Sequence, residues 1–324
     1  MWLTCSSVGR KFVMAVSGAV LVLFVTFHCC MNSIAICWPA AYNSLCEFLG
    51  ANWYALIASV GLALFILIHI VYACILTLQN RKARGNVRYA ISKTPKHVEW
   101  SSKNMLILGI VILAFLVVHL IQFWAKMQLQ EIRGVHDVLP PAAGTLFLQE
   151  AFSLVYTPIV YIIGFVALWF HLNHGIWSMF QSTGWDNTAW IARLKKVAVW
   201  WSTIVVGLFI AQAIVFTVKA NDGYFKNDPV LRDQYMSMIA PMFEKDFGPD
   251  AARQISSAPY DQVKTLVRNQ LNQMENPQVQ AYMANDPSFP AMYETMKNAQ
   301  AFFDYIEGPQ QETEPAVLYN LPQN

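Results

Sequence analysis

Five long apolar runs constrain this chain more than any other feature of its sequence. They cover residues 12–37, 53–79, 104–125, 151–180 and 197–218, and each reaches the roughly 20 apolar residues that a membrane-spanning helix needs. Because a backbone in lipid must satisfy its own hydrogen bonds, only helices or a closed barrel can span a membrane. The runs are continuous rather than alternating, so they predict five helices, here called spans 1 to 5. No cleavage motif follows span 1, which we expect to be retained.

Charge divides the chain into two parts. Only 13% of the 324 residues are charged, about half the share of a typical soluble domain. Residues 1–221 carry 15 Lys and Arg against 6 Asp and Glu, whereas residues 222–324 carry 7 against 14. We therefore expect an all-α membrane domain over 1–221 and an acidic extramembrane extension over 222–324. Apolar residues at helical spacing in 229–246, 259–274 and 289–306 predict a small helical domain with a disordered end; a flexible tail that binds a partner is the alternative.

The Lys and Arg residues of the membrane part predict its orientation. Twelve of them precede span 1 or lie between spans 2 and 3 or spans 4 and 5: Arg10, Lys11, Arg81, Lys82, Arg84, Arg88, Lys93, Lys96, Lys103, Arg193, Lys195 and Lys196. The opposite side has only Lys126, Arg133 and Lys219. The positive-inside rule places the N-terminus in the cytoplasm of a bacterial cell, and five spans then place the extension outside the inner membrane, in the periplasm.

None of the six cysteines forms a Cys-x-x-Cys motif; they are Cys5, Cys29, Cys30, Cys37, Cys46 and Cys74. This pattern argues against covalent c-type haem and against a zinc ribbon. Cys37 and Cys46, near the outer end of span 1, could form a disulfide or remain two free thiols.

Five of the seven histidines lie within the spans: His28, His69, His119, His171 and His174. Ionisable residues in lipid are costly and usually functional, and five on four helices are hard to explain as isolated packing residues. At 1.5 Å per residue from the basic ends of the spans, His28 and His119 lie level with each other, toward the outside. His69 lies level with His171 and His174, nearer the cytoplasm.

Two imidazoles that face each other across a helix bundle suit one haem iron. Zinc would require three or four ligands at one level, and each level has two or three histidines. A proton relay would require carboxylates beside the histidines, and none lies inside a span. The pattern therefore favours two stacked b haems that form an electron path across the membrane.

Four stretches of the sequence resemble those of a known family. They are residues 6–11, 41–54, 79–86 and, above all, Phe-His-Leu-Asn-His-Gly-Ile-Trp-Ser at 170–178. On these stretches, residues 1–221 resemble the di-haem cytochrome b subunit of succinate dehydrogenase or fumarate reductase, of the five-helix single-anchor type and closest to its Bacteroidetes branch. The resemblance implies that His28 and His119 bind the outer haem iron.

For the cytoplasmic haem the resemblance implies His69 and His171. The family's ligand on the fourth helix stands four residues before a glycine, here Gly175, which selects His171 and leaves His174 as the alternative. The resemblance further implies a flavoprotein subunit and an iron–sulfur subunit on the cytoplasmic face and menaquinone as substrate, with no nucleic-acid partner.

Five further residues are candidates for supporting roles. The resemblance implies Glu47, in the loop before span 2, as the acceptor of a proton from quinol; a solvated loop carboxylate is the alternative. Arg10, Lys11, Ser17 and Ser178 could bind haem propionates, although each would also be ordinary at a membrane edge or in helix packing.

Two other readings of the membrane part remain. A cytochrome b anchor of a formate dehydrogenase, hydrogenase or nitrate reductase would also carry bundled histidines. A haem-free membrane anchor or transporter would carry them for structural reasons.

Overall fold

A computed structural model describes residues 6–50, 52–84, 99–133, 138–185 and 187–308. Within these ranges the chain forms fourteen α-helices and no strand. In chain order the helices are α1 (Ser7–Cys37), α2 (Pro39–Gly50), α3 (Trp53–Arg84), α4 (Trp100–His119), α5 (Gln128–Arg133), α6 (Gly144–Phe152), α7 (Tyr156–Ser182), α8 (Thr188–Asn221), α9 (Tyr224–Asn227), α10 (Pro229–Phe247), α11 (Pro249–Ser257), α12 (Tyr260–Met274), α13 (Pro277–Met283) and α14 (Phe289–Glu307). A π-helical turn, Leu120–Trp124, continues α4.

Five of these helices, α1, α3, α4, α7 and α8, are long and apolar enough to cross a membrane, as the sequence predicts. Their outer sides expose large apolar side chains, among them Leu67, Ile107 and Ile163, each more than half accessible. Such exposure would be unfavourable in water and is ordinary against lipid.

The predicted start of span 4 is wrong, and Pro158 explains why. The chain breaks between α6 and α7, so the long helix begins at Tyr156 rather than near residue 151. A continuous helix would press the Pro158 ring against the carbonyl of Leu154. With the break, Pro158 falls in the first turn of α7, where its missing N–H is harmless.

The long helices alternate in direction, so their ends form two groups. The ends of α3 and α7 lie with the starts of α1, α4 and α8, at what we call the N-terminal end; the short helices α2 and α6 and the extension lie at the opposite end. The helices α1, α4, α7 and α8 pack closely, whereas α3 packs mainly against α1.

The extension folds into a helical domain rather than a flexible tail over its described part. Helices α10, α12 and α14 match the predicted segments to within a residue or two. They share a core that includes Phe243, Val267 and Phe302, all with about 1% of their surface exposed or less. The predicted disordered end, beyond residue 308, lies outside the described residues.

A buried polar junction joins this domain to the opposite end of the bundle. The side-chain oxygen of Asn43 on α2 accepts hydrogen bonds from the backbone N–H and the hydroxyl of Thr145 on α6, both at 2.9 Å. The Thr145 hydroxyl lies 2.8 Å from the hydroxyl of Tyr235 on α10. Asn43 also donates to the side-chain oxygen of Gln234 at 3.1 Å. Asn43, Thr145 and Tyr235 are fully buried, so three separate segments are held by groups that have no access to water.

The described cysteines are free thiols, including Cys37 and Cys46; Cys5 lies outside the described residues. Burial raises the pKa of the Cys46 thiol to about 12. The structure therefore favours two free thiols over a disulfide.

Replacing Asn43 by alanine should loosen the extension. Asn43→Ala leaves the buried N–H of Thr145 without its acceptor, a loss of roughly 1–3 kcal/mol. We expect faster proteolysis between α8 and α10 and a lower Tm in detergent. The matched control is Asn269→Ala, because Asn269 is an exposed residue of α12. Equal protease resistance of the two variants would contradict a stabilising role for the junction.

Candidate functional site

Two pairs of histidines face each other inside the bundle. The rings of His28 on α1 and His119 on α4 have centroids 5.7 Å apart at an interplanar angle of 86°. The rings of His69 on α3 and His171 on α7 are 6.2 Å apart at 60°. Each pair joins two helices that are distant in the sequence.

The two pairs lie at different depths. On α1, Ser17 contacts the His69/His171 pair, whereas His28 belongs to the His28/His119 pair. Ser17 and His28 are 11 positions apart, which is about 16 Å along a helix. On α7, Tyr161 contacts His119 while His171 lies 10 positions further, about 15 Å. Both helices therefore give about the same separation between the two histidine pairs along the bundle. We call His28/His119 the distal pair and His69/His171 the proximal pair, the latter nearer the N-terminal end.

The distal pair has a defined hydrogen-bonding partner. The Tyr161 hydroxyl donates to the side-chain oxygen of Gln122 at 3.0 Å and lies 3.1 Å from Nδ1 of His119. Since its single hydrogen is used on Gln122, the hydroxyl must accept from His119 Nδ1–H. His119 is thereby fixed as the tautomer with a bare Nε2, the form that binds metals.

Gln122 lies on the π-helical turn that follows His119. This turn is closed by a bond from the Ala125 N–H to the Leu120 carbonyl at 2.8 Å, and the Gln122 amide also donates to the Thr157 hydroxyl at 2.9 Å. Single π-turns occur frequently at functional sites. Here the turn holds a buried glutamine against both Tyr161 and Thr157.

Aromatic rings surround the distal pair. Phe24 stacks on His28 with centroids 5.4 Å apart, and Phe209 of α8 lies 6.2 Å away. Phe115 and Phe123 flank His119 at 5.9 and 5.3 Å. The pair therefore lies in an apolar environment that excludes water.

In the proximal pair, a serine hydroxyl takes the place that the Tyr161 hydroxyl has in the distal pair. The Ser17 hydroxyl donates to the Met14 carbonyl at 3.0 Å and lies 3.2 Å from Nδ1 of His69. With its hydrogen on the Met14 carbonyl, the hydroxyl accepts from His69 Nδ1–H, which leaves Nε2 of His69 bare. Nδ1 of His171 is buried and has no hydrogen-bond partner among the described residues, an arrangement that needs an explanation.

His174 faces away from His69. Its Nδ1 lies 3.4 Å from Oε2 of Glu99, whose Oε1 accepts from Lys195 at 2.7 Å. Partial burial would raise the pKa of Glu99, but the hydrogen bonds and charges of Lys195 and His174 hold that pKa below its usual range. The residue opposite His69 is thus His171, independently of Gly175.

Of the remaining predicted site residues, Ser17 contacts a histidine pair, whereas the others lie toward the ends of the bundle. Arg10 is half-buried and Lys11 exposed, both on the first turns of α1, and Ser178 is half-buried near the end of α7. Ser17 is 1% exposed, and its contacts are with Met14 and His69. Glu47 is exposed on α2, at the same end of the bundle as the distal pair.

Sequence reasoning named Ser17 but missed Tyr161 and the buried glutamines near the distal pair. Gln122 and Gln212 are buried within spans, and polar residues at such depth are a signal that could have found them. Gln212 of α8 donates to the Cys29 carbonyl at 3.0 Å and to the Ser33 hydroxyl at 2.9 Å, which fixes α1 against α8 beside His28. Tyr161 gave no such signal, because a tyrosine in an apolar run is common.

The spacing of each pair fits one shared metal ion. An imidazole nitrogen binds a first-row metal at about 2 Å, so two rings on opposite sides of one ion have centroids about 6 Å apart. The separations of 5.7 and 6.2 Å agree with this value. No three His, Cys, Asp or Glu side chains converge as metal ligands in the described ranges. Two imidazoles can hold a group that already supplies the other ligands, as haem does.

No family model matches the chain, and no curated protein or solved structure is significantly similar to it.

Two glycines of α7 provide a test of the packing around His119. A Cβ on Gly164 would lie 2.5 Å from Cγ of Phe115, the ring that stacks on His119, whereas a Cβ on Gly175 would meet nothing within 4 Å. We expect Gly164→Ala to destabilise the bundle by about 1–3 kcal/mol through overpacking. Gly175→Ala should be neutral or more stable by up to about 1 kcal/mol, since alanine favours a helix. Thermal unfolding of both variants in detergent checks this, and an unchanged Tm for Gly164→Ala would contradict the close approach of α4 and α7.

Proposed function

We propose that this chain is the membrane-anchor cytochrome b subunit of a succinate:quinone oxidoreductase or quinol:fumarate reductase. It carries electrons between an iron–sulfur subunit and menaquinone through two b haems. The observation that supports this most directly is the pair of facing imidazoles found twice at different depths, with one member of each pair held as the metal-binding tautomer. The residue stretches that resemble the family, above all 170–178, supply the specific enzyme.

The distal pair would hold one haem and the proximal pair the other. A haem iron held by two imidazoles exchanges one electron at a time without releasing a ligand. The chain's own residues set the conditions for this exchange. Tyr161 and Ser17 orient His119 and His69, and the phenylalanines beside His28 and His119 exclude water. His171 differs from His119 and His69, because its buried Nδ1 has no acceptor among the described residues.

The N-terminal end of the bundle would face the cytoplasm and carry the catalytic partners. Twelve of the fifteen Lys and Arg residues of the membrane part are assigned to that side, which supports the orientation. A flavoprotein subunit would oxidise succinate or reduce fumarate there, and an iron–sulfur subunit would connect it to the proximal pair. The extension would then lie in the periplasm. Glu47 at the outer end remains the proposed proton acceptor from quinol.

Haem content tests the assignment of the four histidines. A pyridine haemochrome assay on the purified complex should give about two non-covalent haems per chain. The ratio should fall toward about one in each of the variants His28→Ala, His69→Ala, His119→Ala and His171→Ala, because a single remaining imidazole holds haem weakly.

His174→Ala is the matched control, because His174 lies one turn from His171 on the same helix but contacts Glu99. It should retain both haems. Loss of a haem in this variant but not in His171→Ala would show that His174, rather than His171, binds the haem iron. A colourless wild-type protein would contradict electron transfer and leave a haem-free anchor or transporter. Molybdenum or nickel in place of flavin in the complex would indicate a different dehydrogenase.

Removing the acceptor beside each histidine should shift one haem potential at a time. Tyr161→Phe and Ser17→Ala take away the hydroxyl that accepts from Nδ1–H, which makes the imidazole a weaker electron donor. We expect the midpoint potential of the affected haem to rise by on the order of tens of millivolts, with both haems retained. Redox titration of the visible spectrum measures this. The controls, Tyr54→Phe and Ser59→Ala, remove hydroxyls on α3 that contact none of the four histidines. Potentials unchanged in all four variants would contradict the tautomer assignment.

A further inference from the structure

The extension makes direct side-chain contact with α2, the helix that carries Glu47. Gln234 of α10 donates through its amide nitrogen to the Ala40 carbonyl at 2.9 Å and to the Ser44 hydroxyl at 3.2 Å. Its amide oxygen accepts from Asn43 at 3.1 Å. One glutamine of the extension therefore forms three hydrogen bonds with a single short helix at the outer end of the bundle.

The three contacts lie on one face of α2, and Glu47 lies on the same face. At 3.6 residues per turn, the three contacted residues and Glu47 fall within an arc of about 100°. Tyr42 lies on the side of α2 that faces the bundle, where its hydroxyl donates to the side-chain oxygen of Asn32 on α1 at 3.2 Å. The bundle therefore holds one side of α2, and the extension holds the side that carries Glu47.

The bonds of α2 to the bundle do not depend on Gln234. Tyr42 is bound to Asn32, and Asn43 also accepts from Thr145 of α6. Loss of the Gln234 side chain would leave both of these contacts in place, so α2 would remain attached to the bundle. It would remove the restraint that the extension places on the rotation of α2 about its axis, and the exposed Glu47 side chain turns with that helix.

The role of Gln234 rests on the proposed function, in which Glu47 accepts protons from quinol. Oxidation of one quinol releases two electrons and two protons. The electrons pass one at a time to the group held by the distal pair, while the Glu47 carboxylate accepts each proton in turn and releases it to water. A general base must lie within hydrogen-bond distance of the group that it deprotonates, and a displacement of about 1 Å can slow a reaction by about a hundredfold.

We propose that Gln234 of the extension is a positioning residue for this step. By holding the face of α2 that carries Glu47, it places the carboxylate where a quinol hydroxyl can reach it. The extension is thereby part of the outer quinol site, and the quinol headgroup approaches Glu47 along the seam between α2 and α10.

Quinol turnover by the purified full complex in phosphatidylcholine nanodiscs tests this role, with a short-chain naphthoquinol as electron donor and fumarate as acceptor. Gln234→Leu should lower kcat about tenfold or more with little change in KM, because a displaced base weakens the transition state rather than binding. Glu47→Gln should lower kcat about a hundredfold or more. The double variant should be no slower than Glu47→Gln alone, since a residue that acts only through Glu47 has no further effect once the carboxylate is gone.

The control variant is Gln254→Leu, which changes an exposed glutamine of α11 and should turn over quinol as wild type. Fumarate reduction by reduced benzyl viologen, which needs no quinol, is measured on the same preparations together with haem content. Both should be normal in every variant. Gln234→Asn keeps the amide on a shorter side chain, and it should also lower kcat if Gln234→Leu fails to assemble.

Three results would overturn the positioning role. Unchanged quinol turnover in both Gln234 variants would separate the extension from the quinol site. Additive losses in the double variant would show that Gln234 stabilises the complex without acting through Glu47. Full turnover in Glu47→Gln would place the proton acceptor elsewhere. With normal haem content and viologen-driven activity, each of these results leaves the proposed function standing, whereas a wild-type complex without haem or quinol turnover overturns both proposals.

Discussion

The need to satisfy polar groups without water governs the structure of this protein. The long helices satisfy their own backbone bonds, so what remains is the small set of polar side chains within them. Several of those are paired across helices: Gln122 with Thr157 and Tyr161, Gln212 with the Cys29 carbonyl. These pairs fix how α1, α4, α7 and α8 approach one another. The hydrogen bonds that hold these helices together also orient the histidines. The same residues therefore determine both the helix packing and the candidate site.

The two histidine pairs differ in their surroundings. The distal pair is enclosed by phenylalanines and oriented by a phenol that is itself tied to a glutamine. The proximal pair depends on a single serine, and one of its helices, α3, is packed mainly against α1. Under the proposed function these differences give two haems with different potentials, because hydrogen bonding and dielectric both tune an iron centre.

The extension is integrated with the membrane part through the junction of Asn43, Thr145 and Tyr235. Buried polar groups of this kind are satisfied only in one arrangement, since any displacement leaves a donor or acceptor without a partner. The junction therefore fixes the position of α2 and α6 as well as that of α10. Both connecting helices lie at the end of the bundle nearer the distal pair, so the extension shapes the surroundings of that pair.

The five long helices, the helical segments of the extension and the levels of the histidines can all be predicted from the amino-acid sequence. These follow from apolar length, periodicity and the fixed rise of a helix, all of which are local properties. The family resemblance favours His171 over His174, and the structure brings His171 opposite His69. The contacts of Ser17 and Tyr161 with the histidines, and of Glu99 with Lys195, appear in the tertiary structure alone. Each of these depends on the rotation of one helix about its axis relative to another. A few polar contacts between distant residues set that rotation, and no local pattern in the sequence records it.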